Sequence, residues 1–200
     1  MKKYKEIHKY LLKKSEKIYP IFKLIKSNGV LTIEREEISF FDFLVKTIIS
    51  QQISSKAANS IWNRVLCMSK SNNIKINKLF EQKNCEKILN EIGISTRKFS
   101  YLKNIYDELL SGGLKEKGLK NLEFNKFRKI VKSYKGIGDW TCHMISIFYF
   151  GHTNIWPKSD LVIKKFINEI NDAIPEPIDL EREFSPYLSV LAIHIWKHYD

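Results

Sequence analysis

Lys135-Gly136-Ile137-Gly138-Asp139-Trp140-Thr141 is followed about twenty residues later by Trp156-Pro157-Lys158-Ser159-Asp160. Two glycines around one apolar residue let the backbone turn sharply, with positive φ at no steric cost. They leave the next amides free at the start of a helix, where negative charge is welcome. No side chain blocks a close approach, which is what a sequence-independent phosphate contact requires. An ordinary turn between two helices would satisfy the same spacing. A dinucleotide-binding glycine loop would not, because no strand precedes the stretch and Thr141 stands where G-x-G-x-x-G needs its third glycine. Asp139 adds negative charge to the first turn and is expected to point outward as a cap. Asp160, read alone, is a helix cap at a position where the dipole and free amides favour a carboxylate.

The sequence on both sides is helical. Phe124, Phe127, Ile130, Val131 and Tyr134 mark the helix before the turn. Trp140, Met144, Ile147 and Phe148 mark the one after it, which Gly151 ends. A further helix is expected over 159–171. Pro175, Pro177 and Pro186 punctuate a loop with a short helix at 180–184, and Leu188, Leu191, Ala192, Ile195 and Trp196 share one face of a last helix. Upstream, residues 2–27 read as a lysine-rich amphipathic helix broken at Pro20, and Asn28-Gly29 as a turn. Leu31-Thr32-Ile33 is the one candidate strand. Phe40, Phe41, Phe43, Leu44, Val45, Ile48 and Ile49 are apolar nearly all round, which predicts a buried helix ending in Ser50-Gln51-Gln52-Ile53. Ser54 is a good N-cap for the next helix, with Ala57, Ala58, Ile61, Trp62, Val65 and Leu66 on one face. Residues 69–77 are polar and read as a loop. Short helices follow over 77–91 and 95–110, until Ser111-Gly112-Gly113. The fold class is all-α, with no obvious linker, so any lobes are built from interleaved helices.

Two hundred residues suffice for one core or for two small lobes. An apolar fraction of 44% and an aromatic fraction of 12% are those of a folded chain. A formal net charge of +12 and a pI of about 9.5 point to a polyanionic partner. Biased genome composition would also enrich Lys, Ile and Asn together. The lysines of residues 2–17 read as a solvated face. Cys67, Cys85 and Cys142 form no CxxC pair and fall short of the four thiolates of an iron–sulfur cluster, so inert, buried thiols in a reducing compartment are expected. No stretch approaches the ~18–20 apolar residues that span a bilayer, and no apolar run of signal length follows Met1, so a soluble intracellular protein is expected. No His/Cys/Asp cluster has zinc spacing, and the H-x-E…P-C-x-x-C deaminase signature is missing.

Four motifs, Phe43 to Ala58 with Gln51-Gln52 inside it, the Lys135–Thr141 turn, the Pro157 to Asp160 loop and His194-Ile195-Trp196, together resemble the helix-hairpin-helix (HhH-GPD) DNA glycosylase superfamily. Within it they look like the 3-methyladenine DNA glycosylase II branch, in order and spacing over residues 38–198. The resemblance implies an all-α helix-hairpin-helix glycosylase fold, with two helical lobes flanking a DNA-binding cleft. One lobe would cover about 36–144, the other 1–35 plus 145–200. Lys135, Gly136, Ile137 and Gly138 match the hairpin that grips DNA phosphates, with Na+ or K+ at nearby carbonyls and no side-chain metal site. Asp160 matches the catalytic aspartate. Gln52 matches the residue wedged into the gap left by a flipped nucleotide, and Trp196 an aromatic at the wall of the base pocket. Trp140 stands where strand-cutting members carry a Schiff-base lysine, which implies base removal without AP lyase activity. Trp140 and Met144 are expected in the base pocket with Trp196. His143 is expected at the surface or on a phosphate, and His194 in a structural hydrogen bond.

The implied function is a monofunctional DNA glycosylase that excises alkylated purines, 3-methyladenine and 7-methylguanine, in base excision repair. A flipped cationic base over an indole face gains roughly 0.5–2 kcal/mol. Asp160 would stabilise the positive charge that develops on the sugar as the base leaves. The expected partner is double-stranded DNA containing damaged bases, bound by a monomer, in the cytoplasm of a bacterium or archaeon or the nucleus of a eukaryote. Two other readings stay open at this point: a glycosylase for an oxidised or deaminated base, and a non-catalytic module that only binds DNA.

Overall fold

The computed structural model describes residues 1–174 and 176–199. Pro175, one of the expected loop prolines, lies outside the described residues. Those described form twelve α-helices and no strand. Leu31-Thr32-Ile33 is therefore not a strand: it pairs with no ladder and is anchored by the buried Ile33 side chain. The backbone divides into two compact units, residues 36–145 and residues 1–35 with 146–200.

The unit formed by residues 36–145 is built on α3 (Phe40–Ser50), whose Phe40, Phe41, Phe43, Leu44, Val45, Ile48 and Ile49 are all buried. Ser39 starts it by accepting from the Asp42 amide. Around it pack α4 (Ser55–Ser71), α5 (Ile76–Leu79), α7 (Thr96–Ser111) and α9 (Asp139–Met144). The short α6 (Cys85–Glu91) lies on α7, and α8 (Phe124–Val131) on α9. Ser54 and Ser95 cap α4 and α7 through the amides of Ala57 and Lys98. Phe41, Phe80, Phe99 and Tyr106 fill the space beside α3, with ring centroids 5.1 to 6.1 Å apart. The polar run 69–77 is not one loop. α4 continues to Ser71, where Asn72 Nδ2 donates to the Met68 carbonyl at 2.8 Å and the Ile74 amide to that of Ser69 at 3.0 Å. The polar residues end a helix instead of replacing it, because their side chains and turns satisfy its last carbonyls.

The second unit holds α1 (Lys2–Ser15), α2 (Tyr19–Asn28), α10 (Leu161–Ala173), α11 (Leu180–Phe184) and α12 (Leu188–Tyr199). α12 packs on α2, α10 and α11, and α1 on α2 and α11. The break in the first helix comes before Pro20, not at it. Pro20 sits in the first turn of α2, where its missing N–H costs nothing. After α9 the chain does not continue as a plain α-helix to Gly151. Residues Ile145–Tyr149 widen into a π-helix, a feature frequent at functional sites.

Candidate functional site

The glycine turn and its surroundings belong to the α3-centred unit. Gly136 has φ +91°, and a Cβ there would lie 2.5 Å from the ring of Tyr101. It must be glycine twice over, for conformation and for space. Gly138 takes no positive φ, and a Cβ there would meet nothing. Its bareness leaves room above the turn and is not needed to make it. Ile137 is buried and donates its amide to the Tyr134 carbonyl at 3.2 Å.

Asp139 does not simply point outward. Its Oδ1 accepts from Arg128 Nε at 2.5 Å and pairs with Lys132 Nζ at 2.8 Å, both from the helix end before the turn. Those two cations hold its carboxyl well below the usual carboxylate range and offset the negative charge that looked out of place from sequence.

Next to the turn lies the end of α3. Gln51 Nε2 donates to the Gly136 carbonyl at 2.8 Å and to Thr141 Oγ1 at 3.0 Å. Lys98 Nζ, from α7, donates to the carbonyls of Ile49 at 2.7 Å and Gln51 at 3.0 Å. A cation thus takes the orphaned carbonyls at a helix C-terminus. Gln52 follows, exposed and left-handed at φ +58°. Gln51 and Lys98 were not singled out from sequence. The only signal was a pair of adjacent amides at a helix end.

Trp140 is half-buried in the first turn of α9, and Met144, one turn on, is 7% exposed. His143 is neither at the surface nor poised above it. It is buried, with its ring stacked on Phe124 at 5.2 Å, because the α9 face that carries it packs against α8. The expectation of buried thiols holds for Cys142 alone, whose thiol burial pushes up to about 12. Cys67 is exposed and Cys85 half-buried. Among the described residues no group of three His, Cys, Asp or Glu could hold a metal ion. The carbonyls of Tyr134 and Gly136 each accept one hydrogen bond, from Ile137 and Gln51. Each oxygen keeps a second lone pair, the kind of donor a monovalent cation takes.

Asp160 lies in the other unit. It is the N-cap of α10, and its Oδ1 accepts from the amides of Val162 at 3.0 Å and Ile163 at 3.1 Å. A third donor comes from far along the chain: Trp196 Nε1, at 3.0 Å. The Trp196 ring also packs on Phe148, with centroids 5.7 Å apart. The loop before Asp160 is pinned as well. The Asp160 amide donates to the Pro157 carbonyl at 2.9 Å, and Trp156 is buried. Ser189 Oγ accepts from the Ile155 amide at 2.9 Å and donates to the Ile155 carbonyl at 3.2 Å, while its own amide reaches Thr153 at 2.9 Å. Ser189 and Trp196 are two helical turns apart, on one face of α12. One helix therefore holds both ends of the segment that delivers Asp160.

His194 makes no structural hydrogen bond through its ring. It is fully buried, neither ring nitrogen has a partner among the described residues, and burial pushes its pKa down to about 4. Its ring faces His8 at 6.2 Å. The polar link at this residue is made by its backbone instead, whose carbonyl accepts from Asn28 Nδ2 at 3.0 Å. The structure thus brings Asp160, Trp196 and Phe148 together in one unit. Gln52, tied to the Lys135–Gly138 turn through Gln51, lies in the other with Trp140 and Met144.

A family model described as HhH-GPD superfamily base excision DNA repair protein matches residues 45–188. A DNA-3-methyladenine glycosylase of Schizosaccharomyces pombe is 27% identical over 78% of this chain and 71% of its own length. One from Saccharomyces cerevisiae is 28% identical over 96% and 69%. Among solved structures, an S. pombe 3-methyladenine DNA glycosylase in complex with abasic DNA has a TM-score of 0.79 at 24% identity, covering 96% of this chain and 95% of that one. A Clostridium acetobutylicum 8-oxoguanine glycosylase/lyase bound to DNA has a TM-score of 0.73 at 20% identity, covering 98% and 69%. The two structural likenesses speak for the fold. The family model spans well over half of the residues, and its match runs from α3 through the glycine turn and the Asp160 loop to the start of α12. The chain belongs to the HhH-GPD superfamily of base excision DNA repair proteins.

Proposed function

We propose that this protein is a monofunctional DNA glycosylase that removes alkylated purines from double-stranded DNA, acting as a monomer. The observation that carries the reading is the carboxylate of Asp160, fixed by three N–H donors at the start of α10. Relatives named DNA-3-methyladenine glycosylases support the choice of alkylated bases. Trp196 and Phe148 put aromatic surface beside that carboxylate. A flipped purine made cationic by alkylation is attracted to such surface. As the bond from C1′ to the base breaks, positive charge grows on the sugar, and the carboxylate stabilises it or orients the attacking water. A base that is already cationic needs little protonation to leave.

Gly136 and Gly138 give a phosphate access to main-chain amides, Lys135 adds charge, and Gln52 fills the vacated stack. A monovalent cation on the Tyr134 and Gly136 carbonyls would bring a further positive charge to that backbone contact. Trp140, where a lyase would need a lysine, supports base removal without strand cleavage.

The test is release of free 3-methyladenine and 7-methylguanine from methylated DNA by wild type and by Asp160→Asn, with binding to an abasic-site duplex measured in parallel. The variant should lose about 10²–10³ in rate, the usual cost of one electrostatic group, and keep its binding. Full activity in Asp160→Asn refutes the role of the carboxylate. Binding without release by the wild type, on alkylated and on oxidised or deaminated substrates, makes the protein a non-catalytic module.

A further inference from the structure

Gln52 holds a left-handed backbone that residues with a Cβ avoid, and such a conformation persists only where its surroundings over-determine it. Here they do so from both sides. Behind it, Lys98 ties down the carbonyls of Ile49 and Gln51, so the last turn of α3 cannot unwind. Beside it, the Gln51 side chain spends both N–H donors on the glycine turn, one on the Gly136 carbonyl and one on Thr141 Oγ1. The acceptors lie on either side of Gly138 in the chain, so the amide is fixed in rotation as well as in place. α7 supports both features on one face: Lys98 reaches the end of α3, and Tyr101, one turn further on, backs Gly136.

We propose that Gln51 is a positioning residue that locks the left-handed Gln52 to the Gly136–Thr141 turn. Backbone grip and nucleotide displacement then move as one rigid piece. This rests on the glycosylase reading, in which Gln52 is the wedge. The wedge backbone needs no ordering when DNA binds, because Gln51 and Lys98 have already set it. Gln51 has both of its N–H donors committed to the turn and none left for a base. Its effect should therefore appear where a base pair must be opened and vanish where none has to be.

The experiment uses the full chain with Gln51→Met, which keeps length and removes both donors, Gln52→Ala, and the double variant. Single-turnover base release is measured on one alkylated purine paired in a duplex and on the same purine opposite an abasic gap. Gln51→Met should slow the paired substrate about tenfold, the scale expected of a small misplacement, and the unpaired one less than about twofold. The double variant should be no slower than Gln52→Ala alone, since a residue acting only through its neighbour has nothing left to act on. Thr141→Val, which removes one of the two acceptors, should show a smaller loss with the same paired preference, and it carries the test should Gln51→Met fail to fold. Equal losses on both substrates, an additive double variant, or Gln51→Met at the wild-type rate overturn the proposal. If the wild type releases no base from either substrate, the glycosylase reading fails, and the proposal that rests on it fails with it.

Discussion

Replacing Trp196 by Phe separates the two things its indole can do. The ring packs on Phe148, and the N–H is one of three donors to Asp160 Oδ1. The other two are backbone amides that no substitution at their own side chains removes. Phenylalanine keeps an aromatic ring and loses the N–H. A hydrogen bond to a charged acceptor contributes about 1.5–3 kcal/mol. Asp160 is partly exposed, so water recovers a share and leaves about 1–2 kcal/mol of positional restraint. At 1.36 kcal/mol per tenfold, base release should slow by about 5- to 30-fold. The assay is single-turnover release of an alkylated purine, with affinity for the lesion duplex measured alongside. Loss of the N–H predicts a lower rate at constant affinity. A pure pocket wall predicts weaker lesion binding at a constant rate, and that result refutes the reasoning.

Other positions give equally direct outcomes. Asp160→Ala should be less stable than Asp160→Asn by about 1–2 kcal/mol in a denaturant melt, because Asn still offers an oxygen to the α10 amides; equal melts would remove the cap from the account. Gly136→Ala should lower the melting temperature, as it meets both a positive φ and the Tyr101 ring. Gly138→Ala, with open space and negative φ, should melt like wild type yet bind DNA more weakly if a phosphate approaches there. His194 should make the fold acid-sensitive. Its folded pKa of about 4 lies below the ordinary 6.5, so the unfolded chain takes the proton first, and stability is complete above pH 6.5 and lost as pH falls toward 4. The full loss amounts to about 3 kcal/mol, and His194→Leu should flatten that slope in urea melts run between pH 4 and 7.

What the sequence showed plainly was whatever depends on near neighbours. The all-round apolar run Phe40–Ile49 could only be a buried helix, and α4, α5, α7 and α9 pack around it. Gly136 and Asp160 declared a turn and a cap because glycine conformation and N-cap chemistry are local. What stayed hidden depends on residues brought from elsewhere. Asp139 looked out of place until Arg128 and Lys132 came back across the turn to meet it. His143 and His194 carry no sign of burial in their own neighbourhoods, and only packing decides it. Gln51 and Gln52 are the same residue type side by side, yet one faces the turn and the other solvent. The difference is a single positive φ that composition does not encode.

Gln52, the glycine turn and the Asp160 loop share a construction that this contrast explains. Each sits on a loop or a helix end, where the backbone alone would leave it loose. Each is steadied by two same-face residues of a neighbouring helix. Lys98 and Tyr101 do this from α7 for Gln52 and the glycine turn. Ser189 and Trp196 do it from α12 for the Asp160 loop. Helical spacing puts three- and seven-residue separations on one face, so each helix acts as a ruler that fixes two points of a loop at once. A site held this way depends on the straightness and packing of the ruler as much as on the residues it presents. Substitutions that loosen the buried side of α7 or α12 should therefore cost activity before they unfold the chain, because a loop fixed at two points loses its geometry when either point moves by a fraction of the hydrogen-bond length.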